Sequence, residues 1–132
     1  MDQYDRIIDD VRRKTDDEVV RWKVVNADRH SDILLNSYRV VRAFHADYTV
    51  GVNKYDLLFV QRKINPDDDF GDYSEGYAFE LFVLDDDDGE IVFTLREGVV
   101  DRDDLLRLSG SIEAHNDRAK RFFEAFDQSG AA

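Results

Sequence analysis

Apolar positions in the N-terminal segment recur at helical spacing: Tyr4, Ile7, Ile8 and Val11 stand at i, i+3, i+4 and i+7. This spacing predicts an amphipathic helix over 2–14. Asp9/Arg13 and Asp10/Lys14 form acid-before-base pairs on its polar side. The following "TDDE", residues 15–18, has the form of a Thr-x-x-Glu capping box. A break near Lys14 and a second short helical turn over 16–20 are therefore expected. Trp22, the only tryptophan, is expected to anchor the core.

From Tyr38 the period changes to two. Tyr38, Val40, Phe44, Ala46, Tyr48, Val50 and Val52 share one parity; Arg39, His45, Asp47 and Thr49 occupy the other. The pattern predicts a long strand with a bend or bulge near Arg42–His45. Asn53-Lys54 offers a turn, and "YDLLFVQRKI" (55–64) reads as the next strand. "NPDDDFGDYSEG" (65–76) is a polar loop, while "YAFELFVL" (77–84) and "EIVFTL" (90–95) complete a sheet.

Near the C-terminus Leu105, Leu108, Ile112, His115, Ala119, Phe122 and Phe126 are spaced by three and four. They predict one helix of about 22 residues with a continuous apolar seam. Asp101 is its expected N-cap, with Asp103 and Asp104 in the first turn. Gly110 marks an expected kink or close helix crossing. The fold class that follows is α+β: an N-terminal helix, an antiparallel sheet of four or five strands, and a long C-terminal helix packed on one sheet face. A single domain over 1–132 is expected, with a homodimer contact at the aromatic end of the last helix if the sheet leaves that end uncovered.

Composition narrows the chemistry. The absence of cysteine excludes disulfides, thiolate metal sites and a cysteine nucleophile. No apolar run reaches the roughly 18 residues of a membrane span, and the charged N-terminus is unlike a signal peptide. A soluble cytoplasmic protein is the resulting expectation, without a membrane partner. The formal net charge is −12, and it is concentrated. Residues 67–104 hold 15 acids and two bases, whereas residues 1–66 hold 11 and 12, and residues 105–132 hold four of each.

Within that segment "FVLDDDDGEIVF", residues 82–93, sets four aspartates between two apolar runs. An EF-hand register fails there: with Gly89 at position 6, positions 1 and 12 fall on Leu84 and Leu95. A hairpin fits. A two-residue loop at Asp88-Gly89 would pair Leu84 with Phe93; a four-residue loop at 86–89 would pair Leu84 with Ile91.

A turn needs one or two acids, not four, so a partner surface is the sharper expectation. Its residues fall in three groups: Asp67, Asp68, Asp69, Asp72 and Glu75; Asp85, Asp86, Asp87, Asp88 and Glu90; and Asp101, Asp103 and Asp104, with Glu97 alongside. Such a surface repels nucleic acid and attracts a basic protein, as inhibitors, immunity proteins and mimics of DNA do. The alternatives are acidity serving solubility or high salt in an otherwise uncharacterised soluble domain, and a metal-dependent hydrolase.

Catalytic motifs add little. Asp69-Phe70-Gly71 lacks the rest of a kinase. Gln61-Arg62-Lys63 with Asp47 or Asp56 only faintly matches a metal-dependent nuclease. His30, His45 and His115 fall in a loop, on a polar strand parity and on the helical seam. The expectation is a non-enzymatic acidic binding protein with no catalytic residue, no metal and no cofactor.

Overall fold

The computed structural model describes residues 2–25, 40–63 and 76–130. Helix α1 spans Gln3–Asp16 and is opened by Asp2, whose carboxylate accepts from the Asp5 amide at 2.9 Å. The expected acid–base pairs form: Arg13 Nε meets Asp9 at 3.0 Å and Lys14 meets Asp10 at 2.9 Å. The buried face is Ile8, Val11 and Thr15, with Ile7 half-buried and Tyr4 exposed.

Thr15 is not an N-cap, which corrects the capping-box reading. Its hydroxyl lies inside the helix, fully buried, donating to the Val11 carbonyl at 2.7 Å and accepting from the Trp22 indole N–H at 2.9 Å. A tertiary partner outweighs the local cap signal, so α1 runs two residues past Lys14. The chain then turns through Glu18, which sits at φ 61, in the left-handed region.

Five strands follow in chain order as an antiparallel meander: β1 Lys23–Val24, β2 Val40–Val50, β3 Asn53–Lys63, β4 Tyr77–Asp85 and β5 Ile91–Arg96. The period-two reading locates β2 to β5. Phe44, Ala46 and Tyr48 face the helices with Leu57, Phe59, Phe79, Leu81, Val83 and Leu95. A register shift falls between Val40 and Arg42, at the early edge of the expected bulge. Tyr38 lies outside the described residues.

The β2–β3 turn is Gly51-Val52 rather than Asn53-Lys54, because Val50 pairs with Asn53. Gly51 supplies φ 61 there, and Val52 is 96% exposed despite its parity. On the opposite sheet face Ala43, Leu58, Val60, Phe82 and Leu84 form a second buried cluster.

The C-terminal seam gives two helices instead of one: α2 Arg102–His115 and α3 Asp117–Gln128. No kink is needed at Gly110, which lies within α2; the break is at Asn116. Its backbone is extended, its Oδ1 accepts from the Ala119 amide at 2.9 Å, and its Nδ2 donates to the Ile112 carbonyl at 2.9 Å. The next amide, Asp117, donates to the Trp22 carbonyl at 3.1 Å. Leu105, Leu108 and Ile112 pack into the core with α1, but α3 buries no residue. Only the first half of the expected helix covers the sheet.

Tyr48 closes one side of the core. It is buried, and its hydroxyl donates to Asp10 at 2.5 Å. Burial, then the Asp10 carboxylate, push its pKa up. Burial acts to raise Asp10, but hydrogen bonds from Tyr48 and Lys14 and the charges of Lys14 and Arg13 hold that carboxyl below its ordinary value.

Tyr48→Phe is therefore expected to cost about 1 kcal/mol at neutral pH in chemical denaturation. A depressed folded carboxyl stabilises above its unfolded pKa of ~3.9 and loses that contribution as pH falls through the folded value. The gap between wild type and Tyr48→Phe should accordingly shrink below about pH 4.

Candidate functional site

The β4–β5 hairpin decides what the four aspartates do. Its loop is the four-residue form, 86–89: the Asp85 amide donates to the Glu90 carbonyl at 2.8 Å, and Leu84 pairs with Ile91. A register shift between Val83 and Leu84 then places Phe93 opposite Val83 and Thr94 opposite Phe82.

Asp85 accepts from the Asp87 amide at 2.8 Å, and Asp88 accepts from the Glu90 amide at 2.9 Å. Both are side-chain-to-backbone bonds two residues on, the usual turn use of aspartate. Gly89 takes φ 72 beside them. Two of the four acids are thus engaged by the turn itself. Asp86 and Asp87 are exposed and hold no ion pair among the described residues. The tip borders a cavity of about 290 Å³ shared with the β2–β3 turn, where Lys54 lies beside the aspartates.

The start of α2 stands at the other end of β4, eight residue steps or roughly 25 Å from the tip. Here folding gathers acids that sequence order separates. Asp2 and Asp5, from the first turn of α1, line a cavity of about 380 Å³ together with Glu97 and Asp101. Gly98, Val99 and Val100 complete the lining, and among the described residues Arg102 is the single basic one.

Arg102 approaches Glu97 at 3.4 Å and donates to the Tyr77 carbonyl at 3.2 Å, so its charge is held at the sheet end. Asp101 is the N-cap by position, yet its carboxylate makes no capping bond. The Asp104 amide takes the Asp101 backbone carbonyl instead, at 3.1 Å. Asp103 and Asp104 follow in the first turn, with Asp104 3.7 Å from Arg107.

Asp67, Asp68, Asp69, Asp72 and Glu75 lie outside the described residues. The residues that flank them, Lys63 and Gly76, stand at this same end, since Lys63 pairs with Tyr77. Asp2 and Asp5 carry no motif that marks them as neighbours of Glu97. The one available signal was the opening of an amphipathic helix that must lie across the sheet.

The other candidates are placed as follows. Asp47 and Asp56 are cross-strand neighbours in the β2–β3 ladder, and Gln61 accepts from Arg42 Nε at 2.6 Å. His115 lies between Asp16 at 3.9 Å and Glu18 at 3.7 Å, at the junction of α1 and α2. Among the described residues no three of His, Asp and Glu are grouped so as to hold a metal ion. No described helix is long and apolar enough to cross a membrane. Comparison with protein-family models, with curated proteins and with solved structures finds no significant match.

Proposed function

We propose that this chain is a non-enzymatic acidic binding protein whose acidic mouth, at the start of α2, receives a basic protein surface. One observation carries the reading. Four carboxylates from two distant stretches of sequence converge on one concave surface with a single basic residue among them. Convergence by folding is not required for solubility, which exposed acids at any position would supply.

Carboxylates around a concavity also focus potential, raising the association rate for a cation-rich partner and making that rate fall with salt. The same field opposes nucleic acid. The hairpin tip is secondary: two of its acids are spent on the turn, and Lys54 sits beside the rest.

The reading is tested with Asp5→Asn, Glu97→Gln and Asp101→Asn combined. Asp2 is left intact because it caps α1. Asp101 is a clean choice because no capping bond is lost. Immobilised wild type should capture a basic partner at low ionic strength and release it as salt rises. The triple variant should associate about tenfold more slowly. The control is Asp86→Asn with Asp87→Asn at the tip, which should change association little. Capture that survives the mouth variant and disappears with the tip variant would transfer the function to the hairpin.

A further inference from the structure

Helix α3 presents three aromatic rings to solvent: Phe122, Phe123 and Phe126 are 63%, 53% and 46% exposed. Phe122 meets Phe123 edge-on at 5.8 Å and stacks on Phe126 at 6.2 Å, centroid to centroid. With Ala119 they occupy i, i+3, i+4 and i+7 of one helical stripe. The exposed ring area is roughly 300 Å², the size of the largest patch on a typical monomer.

Among the described residues, the helix is tied down at its start. Asp117 bonds to the Trp22 carbonyl and accepts from the Val24 amide, and Lys120 meets Glu18 at 2.8 Å. A 12-residue helix is marginal in water on its own, and this one buries none of its residues.

Charge along the helix indicates the occupant. Its first five residues carry Arg118, Lys120 and Arg121 against Asp117; its last seven carry Glu124 and Asp127 and no base. An antiparallel copy of the same helix sets the basic half of each against the acidic half of the other. It also lays Phe122 of one copy over Phe126 of its partner, twice, by two-fold symmetry. An anionic membrane fits worse, because the helix carries no net positive charge and the chain carries −12.

We infer that α3 is a self-association surface: two copies pair antiparallel through Phe122, Phe123 and Phe126, with Lys120, which flanks the stripe, beside Asp127 of the partner subunit. The paired area lies at the low end for specific interfaces, so the dimer is weak and concentration-dependent. Because each copy carries −12, salt strengthens pairing. This is opposite in sign to capture at the acidic mouth, so failure of one reading leaves the other measurable.

The test is sedimentation velocity over a range of concentrations. Wild type should pass from 15.4 kDa toward twice that mass, more readily at higher salt. Phe122→Glu with Phe126→Glu should stay monomeric with unchanged circular dichroism, since neither ring is buried.

Two charge variants probe orientation: Lys120→Glu, and Asp127→Lys. Each alone should self-associate less than wild type, and their mixture should recover the dimer. The inference is overturned by a wild-type monomer at millimolar concentration, whether or not it adsorbs to anionic vesicles. Dimerisation indifferent to the Phe variant overturns it as well. A mixture that fails to recover overturns the antiparallel arrangement.

Discussion

Trp22→Ala is expected to lower the unfolding free energy by about 4 kcal/mol and the melting temperature by roughly 15 °C. Three contacts converge on this residue. The ring is buried and meets Phe59 edge-on at 6.5 Å, beneath helix α1. Its N–H reaches the Thr15 hydroxyl, which in turn holds the Val11 carbonyl. Its own carbonyl receives the Asp117 amide at the start of α3. Only the first two are lost on truncation, so the cost is one of cavity and of the lost indole–hydroxyl bond, not of backbone. Thr15→Val separates these contributions: shape is kept, the buried indole N–H loses its acceptor, and about 2 kcal/mol should be lost. Guanidinium unfolding monitored at far-ultraviolet wavelengths reads both. A Trp22→Ala effect below ~1 kcal/mol would show that the ring is not the keystone of the junction.

The second large effect is expected at Asn116. Asn116→Ala removes an N-cap acceptor for α3 and a donor to the last turn of α2, both at a buried position. A loss of about 2 kcal/mol follows from the cap and the unmade amide bond. Asn116→Asp keeps the acceptor at Oδ1 and should recover about half, which distinguishes capping from donation. Helical circular dichroism should be nearly unchanged in both variants, because the break is also fixed by the Asp117–Trp22 backbone bond. A longer, more helical protein on Asn116→Ala would mean that the side chain alone interrupts the seam.

Hydrophobic periodicity was enough to locate most of this fold. Period two marked β2 to β5, and the spacing of Leu105, Leu108 and Ile112 marked α2. Misreadings arose where a polar side chain does tertiary work. Thr15 has a perfect local capping context, but a bond to Trp22 seven residues on buries it inside α1. The apolar spacing runs through Asn116 unbroken, so only its two side-chain bonds reveal the stop. Val52 keeps strand parity yet sits in the turn that Gly51 makes possible.

The acidic groups were visible as composition, but their arrangement was not. The run Asp85–Asp88 attracts attention because it is contiguous, although its two ends serve the turn. The mouth escapes notice because Asp2 and Asp5 reach Glu97 and Asp101 only through the packing of α1 against α2. Contiguity in sequence and convergence in space select different acids.

The central claim is that the mouth, and not acidity in general, receives a basic protein. Amide chemical-shift mapping during titration with a small, well-behaved basic protein tests it most directly. The account expects perturbations centred on Asp2, Asp5 and residues 97–104, small changes at Asp86 and Asp87, and loss of both at about 1 M salt, where the screening length is ~3 Å. Perturbations spread evenly over every exposed acid, tip and mouth alike, would contradict it.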